Sequence, residues 1–228
     1  MVVNMATRQK GLGSAGIGGG SFLVTPVFED IQTFEDTTAP YGNAITAGVT
    51  VNAGDILVLT ERMTITSGGS ATPAPPTGFT DFGGVYKSSE FICMTLSVKI
   101  ADGTEGGTSI ATGITGITNQ GGYEAMLLRY SAGASSVTAG GLGQADNTGG
   151  SFITAGSGTS PQLVLSLVGV RTSRSVTSHT VGGAGTLYNS IDNSHSLNVL
   201  IQETASDVSS SYSAFGLEEE LYGYAELT

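Results

Sequence analysis

The run Leu163-Val-Leu-Ser-Leu-Val is almost continuously apolar. Neighbouring side chains of a β-strand point to opposite faces, so a strand that is apolar at consecutive positions is covered on both faces. The run Thr95-Leu-Ser-Val-Lys-Ile differs, because Leu96, Val98 and Ile100 alternate with polar residues and share one face. We therefore predict a central strand at the first run and a strand with one strongly apolar face at the second.

Similar runs recur along the chain, separated by Gly-, Asn- and Ser-rich turn clusters at the roughly 8–12-residue spacing of sandwiches and barrels. With 35 glycines and 12% charged residues, the composition suits many short strands joined by tight turns. No run shows the 3.6-residue apolar period of a helix. The sequence predicts an all-β fold, an antiparallel β-sandwich that is jelly-roll-like. The clearest strand-like runs are Ser21–Ile31, Ile45–Val51, Asp55–Thr66, Phe91–Ala101, Thr108–Ile117, Tyr123–Tyr130, Gln162–Arg171 and Leu197–Glu203.

Two parts of different character follow from this pattern. Residues 1–20 form an extended Gly-rich N-terminal arm with too few apolar residues for a core. Residues 21–228 form a single β-sandwich domain, with a possible subdivision within the Ser/Gly/Thr-rich stretch 131–158. Near the end, Leu217–Leu227 is predicted to be a closing strand, and a short helix at 217–222 is the alternative.

The arm is the predicted partner-binding segment. It carries two of the chain's eight basic residues, Arg8 and Lys10, and the apolar Leu12 and Ile17. A segment of this kind gains order when it binds a partner, since it has no core of its own. We expect these four residues to contact a neighbouring, more acidic subunit.

The formal net charge of −11 limits the partners. Nucleic-acid binding requires clustered basic residues that displace counterions from phosphates, and the basic residues here are scattered. An anionic membrane surface would repel the acidic body. The N-terminus lacks the apolar stretch of a signal peptide, and no 18-residue apolar window exists. The sequence therefore predicts a protein made in the cytoplasm that binds neither nucleic acid nor membrane.

Catalytic patterns are weak, so we predict that the chain is not an enzyme. His179 and His195 are the two histidines, and we expect both in surface loops. A Ser–His–Asp set with Asp192 and His195 is conceivable on paper, but serine is abundant and no Gly-x-Ser-x-Gly elbow is present. No cofactor-binding Gly-rich motif and no zinc spacing occur. Cys93, the single cysteine, lies in an apolar run and is predicted to be buried.

The carboxylates form two clusters. The early one contains Glu29, Asp30, Glu35 and Asp36, and the late one is Glu218–Glu220. Their spacing does not match an EF-hand, and the chain has no tryptophan to stack on a sugar. We expect solvated acidic edges that discourage sheet-to-sheet pairing, with a loosely bound calcium ion as the alternative.

The middle of the chain carries a pattern of strand and turn segments over roughly residues 44 to 172. The segments are Val51-Asn-Ala-Gly-Asp-Ile-Leu-Val-Leu-Thr, Pro75-Pro-Thr-Gly-Phe-Thr, Phe91-Ile-Cys-Met-Thr-Leu-Ser-Val-Lys-Ile-Ala, Met126-Leu-Leu-Arg-Tyr-Ser and Gln162-Leu-Val-Leu-Ser-Leu-Val-Gly-Val. This pattern resembles β-sandwich modules of tailed-phage virion proteins and of some bacterial surface proteins. The loop aromatic that is usually tryptophan in those modules is Phe79 here.

The resemblance implies a virion location and supplies no catalytic residue. The leading hypothesis is a bacteriophage capsid decoration (cement) or head-fibre protein that binds the major capsid protein through its arm, as a homo-oligomer and preferably a trimer. The alternative is a tail-tip, fibre or adhesin module that binds host glycans. That alternative requires exposed aromatic residues or a calcium site near Phe79, Tyr86 and Tyr188.

Overall fold

The fold consists of antiparallel strands. The computed structural model describes residues 25–146, 152–153, 161–170, 175–204, 206–214 and 218–228, and these contain no helix. In chain order the strands are β1 (Val27–Asp36), β2 (Ala44–Thr46), β3 (Ile56–Thr72), β4 (Thr80–Lys87), β5 (Ile92–Ile100), β6 (Ser109–Ala111), β7 (Thr115–Ser131), β8 (Val137–Asp146), β9 (Phe152–Ile153), β10 (Gln162–Val170), β11 (Val176–Val181), β12 (Thr186–Asn189), β13 (His195–Gln202), β14 (Val208–Ala214) and β15 (Glu218–Leu227).

Two five-stranded sheets pack face to face. Their strand orders are β1-β7-β3-β5-β4 and β12-β13-β10-β15-β8. Alternation along each strand builds the core between them, because every second apolar residue points inward. Ile56 and Val58 of β3 thus meet Leu163 and Leu165 of β10 in one large buried cluster. This cluster is the main core, and the expected antiparallel sandwich is confirmed.

Each large sheet also has a covered outer face. The β2–β6 pair lies over the first sheet, where Ile45 packs with Leu57 and Leu59. The three-stranded sheet β11-β14-β9 lies over the second, where Val181 and Ile153 pack with Val164. The molecule therefore has four β layers, and its two central sheets are buried on both sides. This arrangement explains why every residue of β10 is buried, as predicted.

The two halves of the chain repeat one strand order. In the first half, β3 is central, β7 and β5 flank it, and β1 and β4 are the edges. In the second half the corresponding strands are β10, β15, β13, β8 and β12, in the same chain order. The covering pair β2–β6 corresponds to β9–β14, and β11 is the one added strand. No repeat is visible in the residues themselves, so the equivalence is one of topology.

This connectivity refines the jelly-roll-like expectation. Each half of the chain completes its own large sheet, and the chain passes between the two sheets once, between Ser131 and Val137. That passage falls at the start of the interval in which the sequence suggested a subdivision. The predicted closing strand is also confirmed as β15, where Leu221 and Ala225 enter the main core and Tyr222 and Tyr224 face the outer layer.

Cys93 lies on the outer face of β5 and is fully buried, as predicted. Burial, with the charge of Glu61 nearby, raises the pKa of its thiol to about 12. The thiolate is the reactive form, so the folded protein should react with a thiol reagent at pH 8 roughly a thousandfold more slowly than the urea-unfolded chain. The absorbance of the chromophore that the thiol reagent releases measures the reaction rates of the folded and the unfolded protein. A native rate within tenfold of the unfolded rate would contradict this placement.

Candidate functional site

A buried ionic cluster joins the two large sheets. Arg62 of β3 forms an ion pair with Glu124 of the adjacent β7. Its Nε donates a hydrogen bond to the carbonyl oxygen of Val170, at the end of β10 in the opposite sheet (3.0 Å). Glu124 Oε2 accepts a hydrogen bond from Ser194 Oγ (2.5 Å) and lies 3.3 Å from His195 Nδ1. We call these residues, with Thr60, the inter-sheet cluster.

The inter-sheet cluster holds Glu124 as a carboxylate. Burial by itself would raise the pKa of Glu124, but the hydrogen bond with His195 and the positive charge of Arg62 lower it to about 2. His195 Nε2 lies 3.2 Å from the hydroxyl of Thr60, across the core. A charged group is thus tolerated in the interior because its partners come from both sheets.

A second polar cluster lies between the second large sheet and its outer layer. His179 of β11 is within hydrogen-bond distance of two serine hydroxyls, Ser166 at Nε2 (2.8 Å) and Ser196 at Nδ1 (3.0 Å). Ser166 also donates to Glu220 Oε1 (2.6 Å), which accepts a further hydrogen bond from Ser210. Burial lowers the pKa of His179 to about 4. We call these residues the outer cluster.

A third group occupies the equivalent layer of the first half. Glu61 of β3 accepts hydrogen bonds from Tyr123 Oη (2.8 Å) and Thr95 Oγ1 (2.9 Å). It also bonds the hydroxyl of Thr112 and the backbone amide of Gly113, next to β6. Burial nevertheless raises the pKa of this carboxyl group. Glu61 therefore fixes the segment after β6 against the sheet.

The first two clusters contain an acid, an imidazole and a hydroxyl, but their geometry is structural. Glu124, His195 and Thr60 form a chain of that kind, yet His195 and Thr60 are 0% exposed. In the outer cluster the carboxylate bonds the serine rather than the far nitrogen of His179, which is the position that orients a catalytic imidazole. A hydroxyl sealed beneath a sheet cannot reach a substrate. Both clusters connect layers of the fold.

The predicted surface positions of the two histidines are wrong. His179 lies on β11 and His195 on β13, and both are buried. Asp192 does not contact either imidazole. Its carboxylate instead accepts hydrogen bonds from the Ser190 hydroxyl (3.0 Å) and the Ser194 amide (2.6 Å), and so shapes the β12–β13 turn. The Asp192–His195 pair considered from the sequence therefore does not form.

The two carboxylate clusters have different outcomes. Glu29, Asp30, Glu35 and Asp36 lie on β1, which is an edge strand with no buried position, as expected of an acidic edge. The expectation is wrong for the late cluster, because Glu219 and Glu220 are buried on the internal strand β15. Alternation sends Glu219 toward β4, where Lys87 Nζ lies 2.7 Å from its Oε1. Glu220 points the other way, into the outer cluster.

One lateral side of the sandwich exposes apolar side chains on two edge strands. Val27 and Phe28 on β1 are 53% and 40% exposed, and Leu187 on β12 is 42% exposed. The two edges meet where the ring of Phe28 lies 5.1 Å from that of Tyr188. On the opposite side, β4 packs against β8 and β15. We call the β1/β12 side the open edge.

The predicted partner-binding residues Arg8, Lys10, Leu12 and Ile17 lie outside the described residues. The description begins at Thr25, whose hydroxyl donates a hydrogen bond to Glu203 Oε1 (3.0 Å). Two residues later the chain enters β1, a strand of the open edge.

A surface pocket of about 530 Å³ lies on the outer side of the first sheet. Its walls come from the loop after β3, the loop between β5 and β6, and the residues from β6 to the start of β7. Phe79, Pro75 and Pro76 supply apolar residues to the lining. Threonine and serine residues, among them Thr108 and Ser109, line the remainder.

An ion pair lies in the same pocket. Lys99 Nζ is 2.7 Å from Glu105 Oε1. The two oxygens of Glu105 also accept hydrogen bonds from the amides of Asp102 (3.2 Å) and Gly103 (3.1 Å). Burial opposes ionisation of Glu105, but the hydrogen bond from Lys99 and that from the backbone of Asp102 lower its pKa on balance. The pocket therefore presents a fixed carboxylate whose charge is balanced by one ammonium group.

The three aromatic residues considered for glycan binding are not brought together. Phe79 lines the pocket. Tyr86 donates its hydroxyl hydrogen to the carbonyl oxygen of Gly69 (2.6 Å), and Tyr188 is at the open edge. Reasoning from the sequence missed the buried Glu61, Arg62 and Glu124. The signal available was a pair of adjacent charges, Glu61-Arg62, inside an otherwise apolar run.

Among the residues described, no group of three or more His, Cys, Asp or Glu side chains is placed to hold a metal ion. No helix able to cross a membrane occurs in that same part of the chain. The sequence matches no protein-family model and no curated protein, and no solved structure matches the fold.

Proposed function

We propose that the chain is a non-catalytic structural subunit of a bacteriophage virion, a decoration protein that binds the capsid surface as a homo-oligomer. The observation that carries the proposal is the open edge. Apolar side chains of Val27, Phe28 and Leu187 are exposed there on two strands at the edges of their sheets. Exposed apolar residues on adjoining edges are typical of surfaces that contact another subunit.

The position of the arm in the sequence supports separate roles for the arm and for the open edge. The arm precedes β1 in the sequence and carries Arg8 and Lys10, whereas β1 is acidic. In the proposed assembly, the open edges of neighbouring copies pack together around a cyclic axis, and the arms extend to the capsid. The arm contributes attachment without contributing to the core, since it gains order only on binding.

The interior favours a structural over a catalytic role. The buried acids and imidazoles of the inter-sheet and outer clusters bond partners from different layers of the fold. Buried polar groups that are satisfied in this way specify one packing of the layers. Four β layers that are held in one fixed packing suit a subunit with a structural role in the particle.

Co-sedimentation with expanded capsids that lack decoration tests the proposal. The full-length protein should pellet with these capsids and saturate, and capsids that are already decorated serve as the matched control and should bind none. Sedimentation velocity of the free protein should show a trimer. Failure to pellet at every salt concentration tested would refute the capsid-binding role.

Removing Met1–Gly20 separates attachment from folding. We expect the truncated protein to keep its melting temperature within about 2 °C, because the sequence of the arm has too few apolar residues for a core, and to lose capsid binding. Thermal unfolding followed by circular dichroism and the same pelleting assay provide the two readouts. A truncated protein that fails to fold would show that the arm is part of the core.

A further inference from the structure

We propose that the pocket next to Phe79 is a binding site for a neutral saccharide. The inference is independent of the capsid-binding proposal, because the pocket lies on the outer face of the first sheet, where Phe79 packs with the apolar residues around Leu57 and Leu59. Among the residues that the structure describes, those of the open edge do not line it.

The size and shape of the pocket suit a small ligand. Its volume of about 530 Å³ lies within the roughly 300–1,000 Å³ of ligand sites in proteins. One wall is fixed from beneath, because Glu61 bonds the Thr112 hydroxyl and the Gly113 amide. On the opposite side, the backbone of Pro75 approaches Gly113 so closely that a Cβ atom there would overlap it. The two walls are therefore held at a defined separation.

The chemistry of the lining distinguishes between ligand classes. A hydrocarbon ligand would displace water from the Lys99–Glu105 pair and from the hydroxyl of Ser109 without supplying hydrogen bonds in its place. A free anion would meet the carboxylate of Glu105, and a cation would meet the ammonium group of Lys99. A neutral ligand with several hydroxyl groups satisfies both charged groups at once, since Lys99 donates and Glu105 accepts.

Phe79 adds the apolar contact that a sugar ring requires. Phe79 lines the pocket, and its half-buried side chain packs against the apolar cluster on the outer face of the first sheet. The negative face of an aromatic ring attracts the C–H groups on one side of a pyranose. The hydroxyl groups on the sugar's rim then point to the polar lining. A pocket lined by the aromatic Phe79 and by the Lys99–Glu105 ion pair therefore suits a neutral sugar.

Nuclear magnetic resonance titration tests the proposal. The probes are the methyl glycosides of glucose, galactose and mannose, with N-acetylglucosamine and glucuronate, each added to the full-length protein at millimolar concentrations. At least one neutral sugar should shift the amide signals of pocket residues such as Thr108 and Gly113, with saturation. Glucuronate should bind at least threefold more weakly than that sugar, because Glu105 repels its carboxylate.

Two variants and one control make the result decisive. Phe79→Leu retains an apolar side chain against the sheet but removes the ring, and it should weaken binding about tenfold. Phe79→Ala should weaken it at least as much. Phe28→Ala, which removes an exposed aromatic ring at the open edge, should leave the affinity unchanged. The proposal is overturned if no neutral sugar shifts the pocket signals, if Phe79→Leu binds like the parent, or if glucuronate binds more tightly than every neutral sugar.

Discussion

Replacing Arg62 with methionine is expected to lower the free energy of unfolding by about 3–5 kcal/mol, the cost of removing one partner of a buried ion pair. Arg62 is 1% exposed and pairs with Glu124 within the main sandwich. The variant would leave the carboxylate of Glu124 buried without its guanidinium partner and the carbonyl of Val170 without its donor. Urea unfolding followed by circular dichroism measures the loss.

The double variant Arg62→Met/Glu124→Met is the control for this result. In it both members of the buried ion pair are replaced by apolar side chains. We expect the double variant to regain at least half of the stability lost by Arg62→Met alone, because replacing a whole buried pair costs far less than breaking it. Equal stability of the single and double variants would show that Glu124 is not the group left uncompensated.

The Arg62–Glu124 pair also predicts that the free energy of unfolding decreases in acid. The pKa of Glu124 falls from an ordinary value of 4.5 to about 2 in the folded protein. The folded state therefore binds fewer protons than the unfolded state between these values, so this contribution to stability is complete above pH 4.5 and is lost as the pH falls toward 2. The shift of about 2.5 pKa units corresponds to roughly 3 kcal/mol. Arg62→Met should reduce this slope.

The strands were predictable because their signals are local. Continuous apolarity in β10 indicates two covered faces, and alternation in β5 identifies the face that carries Leu96 and Val98 into the main core; the structure confirms both. The other face of β5 is also buried, with the polar Thr95 and Ser97, and alternation did not indicate this. The topological repeat was not predictable, because corresponding strands carry different residues. Glu61 on β3, for example, has no acidic counterpart on β10, where Ser166 reaches the outer layer instead.

The buried polar clusters were hidden for a different reason. Arg62 and Glu124 are 62 positions apart, and His195 is 71 positions from Glu124, so only the fold brings them together. Histidines and a run of three glutamates are typical of exposed segments, and composition alone places them at the surface. Alternation along β15 instead directs Glu219 and Glu220 to opposite buried faces, where Lys87 and two serine hydroxyls compensate them.

His179 should make the protein lose stability in mild acid. Its imidazole is 2% exposed, lies between Ser166 and Ser196, and has an edge contact with the ring of Tyr212. Burial removes the hydration that an imidazolium ion needs, and the hydrogen bond with Ser196 offsets this only in part. The pKa of His179 therefore falls from 6.5 to about 4.

The direction of the effect follows from proton uptake. Between pH 6.5 and pH 4 the unfolded chain binds a proton at His179 and the folded protein does not, so acid favours unfolding. The contribution of the neutral His179 to the free energy of unfolding is complete above pH 6.5 and is lost progressively as the pH falls to 4. The shift of about 2.5 pKa units corresponds to roughly 3 kcal/mol over this interval. Most of the loss comes before Glu124 begins to contribute below pH 4.5.

His179→Gln isolates this contribution. Glutamine retains hydrogen-bonding groups for the two serines but does not titrate, so the variant should be less stable by about 1–3 kcal/mol at pH 7 and should lose most of the slope between pH 6.5 and 4.5. Urea unfolding of both proteins at each pH gives the difference. The raised pKa of Glu61 acts in the opposite direction, but it is common to both proteins and cancels in that difference. Since His195 is intact in the variant, an unchanged slope would assign the acid sensitivity to another group and contradict the burial of a neutral His179.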